Sequence, residues 1–208
     1  MLITAIEPIT KDRHRVLLEN GENFVLYKGE IRHLKLKEGL ELSDKDYDSI
    51  MTVILPKRAK LRMMNLLKVK DYTEYQLSKK LLDAGYPRAI VDEALSYVKS
   101  FNYVDDLRYA KSFISSESGK RSRKEIELKL LQKGIHKDVT AEAFYAISGD
   151  SEEGADKTFD ETEVIVKALK KKHFTGEESY EEKQKILAYF YRRGFNMDAV
   201  YRAMDNLT

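Results

Sequence analysis

The sequence contains no cysteine and no tryptophan. The first absence excludes disulfides and thiolate metal sites. Only three prolines and ten glycines punctuate its 208 residues, which leaves long stretches free for regular structure. No run of 18 apolar residues occurs, so no segment has the length of a membrane-spanning helix. The opening residues, MLITAIEPITKDRHR, lack the basic-then-apolar order of a secretory signal, and the expected location is the cytoplasm. The common catalytic and nucleotide-binding motifs are also missing: G-x-x-x-x-G-K-[ST], G-x-G-x-x-G, H-E-x-x-H and G-x-S-x-G. Four histidines, His14, His33, His136 and His173, are scattered through unlike settings and predict no metal site. Asp105 and Asp106 open an apolar-periodic segment, which suits an N-cap and a first-turn acid better than a catalytic pair. The expectation is a protein without enzymatic activity, metal or cofactor.

What the chain does have is a repeat. Gly85, Gly134 and Gly194 each sit in one local pattern. Eight residues before them stand Leu77, Ile126 and Ile186, and four before them Leu81, Leu130 and Phe190. One after come Tyr86, Ile135 and Phe195, and ten after come Leu95, Phe144 and Met204. Apolar residues at −8 and −4 followed by glycine describe a helix face that ends in a C′ glycine, where positive φ is cheap only without a Cβ. The glycines are 49 and 60 residues apart, a period that predicts tandem helical modules. Each middle helix has a capping-box start: Thr73-x-x-Gln76, Ser122-x-x-Glu125 and Ser179-x-x-Glu182.

The predicted helices run over roughly 57–69, 73–84 and 87–100, then 106–117, 122–133 and 137–147, then 160–173, 180–193 and 197–206. Ahead of them, Arg13–Tyr27 reads as two β-prone runs around Asn20-Gly21, a hairpin signal. Ile3–Ile6 can add a third strand, and Leu34–Leu42 alternates in a way that could pair with the hairpin. A lone hairpin is marginal in water, so this unit should pack on the first module. Tyr47, Ile50, Met51 and Ile54 follow at helical spacing, and Pro56 ends that helix or starts the next. The expected fold is mainly α: three tandem three-helix modules forming an elongated curved body, with a small N-terminal β-hairpin unit. The boundaries are 1–55 for the hairpin unit and leading helix, 56–102 and 103–148 for modules one and two, 149–159 for an acidic linker, and 160–208 for module three. The linker composition suggests that module three hangs more freely than the other two.

Charged residues make up 35% of the chain and the net charge is only +2, but the charge is segregated. Asp150 to Glu163 carries seven acids and one lysine. Lys57, Arg58, Lys60 and Arg62 lie in a stretch without acids, and so do Lys120, Arg121, Arg123 and Lys124. Lys170, Lys171, Lys172, Arg192 and Arg193 complete the basic clusters. Such runs are often solvated faces. Three features favour a partner-binding role: the clusters recur in each module, acids are missing beside them, and residues 120–123 put cations at a helix N-terminus that disfavours them. Six tyrosines, Tyr72, Tyr75, Tyr86, Tyr97, Tyr103 and Tyr109, crowd module one and its junction. They fill small helical cores or offer a stacking platform for bases, and the first reading is preferred.

The string Phe101-Asn102-Tyr103-Val104-Asp105-Asp106-Leu107-Arg108-Tyr109-Ala110, with Leu130-Leu131-Gln132-Lys133-Gly134-Ile135 downstream, resembles the RecX family of recombination regulators. The resemblance covers about Ala59 to Met204, some two-thirds of the chain. It implies a non-enzymatic, monomeric modulator of the RecA recombinase. Such proteins bind the RecA–DNA filament and suppress its ATP hydrolysis, strand exchange and co-protease activity, in recombination, DNA repair and the SOS response. Some also bind single- or double-stranded DNA directly, and a plain DNA binder built of helix-turn-helix-like modules is the competing expectation.

Overall fold

The computed structural model describes residues 1–148 and 161–207. The acidic linker expected at 149–159 lies outside the described residues. The chain divides into two compact units, Met1–Asp105 and Asp106–Thr208.

The first unit opens with an antiparallel sheet in the order β1 (Ile3–Pro8), β2 (Arg13–Leu18), β3 (Asn23–Tyr27). Leu18 donates its N–H to the Glu22 carbonyl at 2.9 Å, so the hairpin loop is Glu19–Gly21, and Gly21 closes it at φ +84°. The Asn-Gly signal thus marks a three-residue loop with a left-handed last position. Val16, Leu18, Phe24 and Leu26 are buried against the helices that follow.

After β3 the chain forms α1 (Lys28–His33), which ends where Lys35 turns to φ +52°. Leu34–Leu42 is therefore not the extra strand its alternation suggested. It contributes one isolated bridge, Leu2 to Glu41, and a few hydrogen bonds to the edge of β1, with Leu36 and Leu42 buried.

Helices α2 (Asp44–Ser49) and α3 (Leu55–Leu67) are continuous through a π turn at Ile50–Ile54. Ser43 caps the start by accepting from Asp46 N–H at 3.1 Å. Pro56, buried at the start of α3, explains the π turn. Its ring clashes with the carbonyl four residues back and it has no N–H to donate, and a widened turn accommodates both. The proline therefore stands in the first turn of α3, joined to α2 through the π turn rather than separated by a break. Helices α4 (Glu74–Leu82) and α5 (Arg88–Ser100) complete the first module, and one core joins Ile3, Phe24 and Leu26 to Leu55, Met63, Leu77, Leu81, Val91 and Val98.

The second unit holds two three-helix modules, each with its own core. One comprises α6 (Asp106–Glu117), α7 (Arg123–Gln132) and α8 (Lys137–Ser148), around Ala110, Ile114, Ile126, Leu130 and Phe144. The other comprises α9 (Thr162–Lys171), α10 (Tyr180–Arg192) and α11 (Met197–Asp205), around Ile165, Leu169, Phe190, Val200 and Ala203.

The glycine repeat is a repeated Schellman motif. Gly85, Gly134 and Gly194 have φ of +85°, +85° and +71°. The next residue returns its N–H across the last turn: Tyr86 to Leu81, Ile135 to Leu130, Phe195 to Phe190, at 3.2, 3.0 and 3.1 Å. Those are the +1 and −4 residues of the sequence pattern, and all six side chains are buried. The motif fixes a left-handed turn and seals it with an apolar pair, which is why the pattern recurs intact. At Gly194 an added Cβ would also sit 2.6 Å from Lys124 Cδ, so glycine is required by close packing as well as by φ.

All three capping boxes form as expected, with Thr73, Ser122 and Ser179 accepting from Gln76, Glu125 and Glu182 N–H.

Candidate partner-binding site

Lys57, Arg58, Lys60 and Arg62 are neighbours in sequence but spread around α3, because successive helix positions turn by about 100°. Lys57 is exposed and has no carboxylate partner among the described residues. Arg58 points inward, with only 16% of its side chain exposed. It donates to Glu30 at 2.7 Å, to the Tyr86 hydroxyl at 3.1 Å and to the Val25 carbonyl. Its guanidinium also lies over the Tyr27 and Tyr86 rings. Lys60 pairs with Glu93 at 2.7 Å and sits over Tyr97. Arg62 is half-buried, and its Nε has no partner among the described residues.

Around α7, Lys120 and Lys124 are exposed without a carboxylate partner among the described residues, and Lys120 donates to the Ser116 carbonyl. Arg121 pairs with Glu117, and Arg123 with Glu127 at 2.9 Å, both one helical turn away. Arg123 also stacks 4.6 Å over the Phe144 ring. Lys170 and Lys171 are exposed in the last turn of α9, where the helix dipole favours cations. Lys172 lies 4.2 Å over Tyr189. Arg192 is exposed and reaches only the Ala188 carbonyl.

Two sequence expectations are corrected here. The clusters do not stand without acids: five of their arginines and lysines are ion-paired, three of them with partners distant in sequence. Nor is the α7 N-terminus left with unopposed cations. The Glu161 carboxylate accepts the Arg123 N–H at 2.7 Å, and Glu125 sits in the first turn.

Arg193 belongs to a latch between the two modules of the second unit. It donates through Nε and Nη2 to the two oxygens of Glu125, both at 2.8 Å, and through Nη1 to the Tyr189 hydroxyl at 2.8 Å. Ser122 Oγ donates to the Arg193 carbonyl at 2.6 Å while accepting from Glu125 N–H. The C-terminus of α10 is thereby joined to the N-terminus of α7. Glu161, almost fully buried, adds a second bridge: one oxygen accepts from Arg123 N–H and the other from Asn196 N–H at 2.8 Å. The freely hung third module suggested by the linker composition is thus not what forms: module three is hydrogen-bonded to module two.

Burial pushes the Glu125 carboxyl up, but hydrogen bonds from Arg193 and the Ser122 N–H outweigh it and hold the group below its ordinary value. The same contact with Glu125 holds Arg193 well above the usual guanidinium range. A depressed folded value means that Glu125 contributes its full stability above the unfolded carboxylate range, about 4.3, and loses it as pH falls through the folded value. The stability difference between the protein and a Glu125→Gln variant, followed by denaturant melts, is expected to shrink from pH ~5 to ~3. A difference that stays constant over that window would show that the charge of Glu125 adds nothing to stability.

Asp106 opens α6 as a first-turn acid. Among the described residues no group of three histidines, aspartates and glutamates could hold a metal. No described helix is long and apolar enough to cross a membrane.

The repeat seen in the geometry is matched in known proteins. Models of the first, second and third three-helix domains of RecX match residues 59–97, 105–143 and 160–204, in chain order. The regulatory protein RecX of Caldanaerobacter subterraneus subsp. tengcongensis is 30% identical over 210 residues, covering the whole of both chains. The chain belongs to the RecX family. The regulatory protein RecX of Finegoldia magna is 26% identical, with 90% of each chain covered. Among solved structures, a regulatory protein RecX superposes with a TM-score of 0.64 at 23% identity, covering 98% of both chains. RecX from Lactobacillus salivarius gives 0.62 at 21%, covering 74% of this chain and 97% of that one. At those identities the structures support the fold alone. The three family domains are the three Schellman-capped modules, and the N-terminal sheet lies ahead of them. Named relatives across this family are regulatory proteins, and that is the role assigned to this chain.

Proposed function

We propose that this chain binds the RecA–DNA filament and lowers its ATP hydrolysis, strand exchange and co-protease activity without catalysing a reaction. The observation that carries this is the recurrence, in three consecutive modules, of exposed cations without a carboxylate partner among the described residues: Lys57, then Lys120 and Lys124, then Lys170, Lys171 and Arg192. Cations already engaged inside the fold, such as Arg58 and Arg193, add little to such a surface. A filament repeats its own surface, so modules that each make a weak charged contact gain avidity from being linked. A chain bound across neighbouring protomers can hold them away from the geometry that hydrolysis needs.

Direct DNA binding is favoured by one observation, an exposed aromatic row on the first module. Phe101 lies 5.0 Å from Tyr97 and 5.6 Å from Tyr103, centroid to centroid, with Lys60 over Tyr97. Bases stack on such rows.

One experiment addresses both. Reversing Lys120, Lys124, Lys170 and Lys171 to glutamate is expected to cost about 1–2 kcal/mol, chiefly from acids placed in the last turn of α9, and circular dichroism and thermal melts check that the fold is kept. The concentration needed to inhibit filament ATP hydrolysis is expected to rise at least ~30-fold, about 2 kcal/mol. Unchanged inhibition with an intact fold would remove these lysines from the interface. Equally tight binding to bare DNA, falling steeply with log salt, would favour the direct binder.

A further inference from the structure

Helix α7 carries two leucines that its own module does not use. Leu128 and Leu131 are 56% and 48% exposed, while Ile126 and Leu130 fill the core. The pair is one helical turn apart, so it forms a single apolar row on the outer face. That row is one wall of a groove of about 550 Å³ between α7, α8 and the end of α10, with Ile135 at its base. Its volume is in the range of sites that take up side chains from a ligand.

The rim is cationic. Lys124, Lys137 and Arg192 border the groove, and none has a carboxylate partner among the described residues. The acids that line it are spent: Glu125 on Arg193 and Glu127 on Arg123. The latch between the modules sets the shape, because Arg193 fixes the α10 end against α7 and the Lys124 stem packs on Gly194.

We propose that this groove is a docking site for an acidic amphipathic helix of a protein partner. Its apolar face would lie on Leu128 and Leu131, and its carboxylates would meet Lys124, Lys137 and Arg192. This is helix-in-groove recognition, in which apolar anchors at i, i+3 or i+4 and i+7 supply affinity and the charged rim supplies orientation and rate. A phosphodiester chain offers no apolar anchors, so the leucine row favours a peptide over a nucleic acid. Lys124 and Arg192 are shared with the cationic set of the filament reading, but Leu128, Leu131 and Lys137 are not, so the leucine variants test the groove separately.

The test uses the full chain and a fluorescein-labelled helical peptide of glutamate and alanine, with leucines at i, i+3 and i+7. Fluorescence anisotropy is expected to show saturable binding with Kd on the order of 10 µM. Leu128→Glu combined with Leu131→Glu should weaken it at least ~20-fold, about 2 kcal/mol. Both positions are exposed, so the fold should survive. Leu131→Ser alone, with a smaller loss, serves if the double variant does not fold. A matched lysine peptide, or the acidic peptide with serines for leucines, should bind at least ~10-fold more weakly. Absence of saturable binding would overturn the proposal. So would equal affinity for the lysine peptide, or leucine variants that bind like the unaltered protein.

Discussion

Replacing Glu161 with alanine is expected to cost roughly 2–5 kcal/mol, because it leaves two backbone donors, Arg123 N–H and Asn196 N–H, without their shared acceptor. Glu161 as a whole is 5% exposed, so water has limited access to replace its carboxylate. Each orphaned amide carries a desolvation cost of about 1–3 kcal/mol. Glu161→Gln is the informative control. Its amide oxygen can accept one N–H, but its NH₂ group faces the other donor, so the variant recovers at most part of the loss. Thermal unfolding gives the global cost, and amide hydrogen exchange gives its location. Protection should fall first at the amides of Arg123 and Asn196. Unaltered exchange at both, in a variant that melts normally, would mean that Glu161 does not tie the modules together.

Arg58→Leu is expected to destabilise the first unit by about 3 kcal/mol, an unusually large value for a cation in an acid-free basic run. The leucine keeps most of the stem but leaves the half-buried Glu30, the Val25 carbonyl and the Tyr86 hydroxyl without the donor they share. Lys57→Leu, one residue away and exposed, is expected to change stability by less than ~0.5 kcal/mol. Chemical denaturation of the two variants separates the roles. If Arg58 instead acts only by touching a partner, its variant melts like the unaltered protein and loses only binding.

The contrast between these neighbours shows what a sequence can disclose. Helix positions, capping boxes and glycine turns were legible because each is decided within a few residues: Thr73 with Gln76, Gly85 with Leu81 and Tyr86. The hairpin was legible for the same reason. The roles of the cations were not. The partners of Arg58, Lys60 and Arg193 lie 28, 33 and 68 residues away, so an acid-free run in sequence becomes a set of ion pairs in space.

Glu161 was hidden by its surroundings. It stands among other acids, and nothing local separates a buried bridging carboxylate from a solvated one. Leu128 and Leu131 look like core residues in a helix that is apolar on more than one side, and only burial shows that they are surplus. The π turn before Pro56 was announced by the proline, but a break and a widened turn look alike in sequence.

The most direct measurement titrates the chain into RecA filaments assembled on single-stranded DNA and follows ATP hydrolysis, with the four-lysine reversal as the control. Binding through the modules' exposed cations is expected to lower hydrolysis in a dose-dependent way and to lose that effect in the reversed protein. Hydrolysis that stays constant at saturating chain, or that falls equally with both proteins, would contradict it.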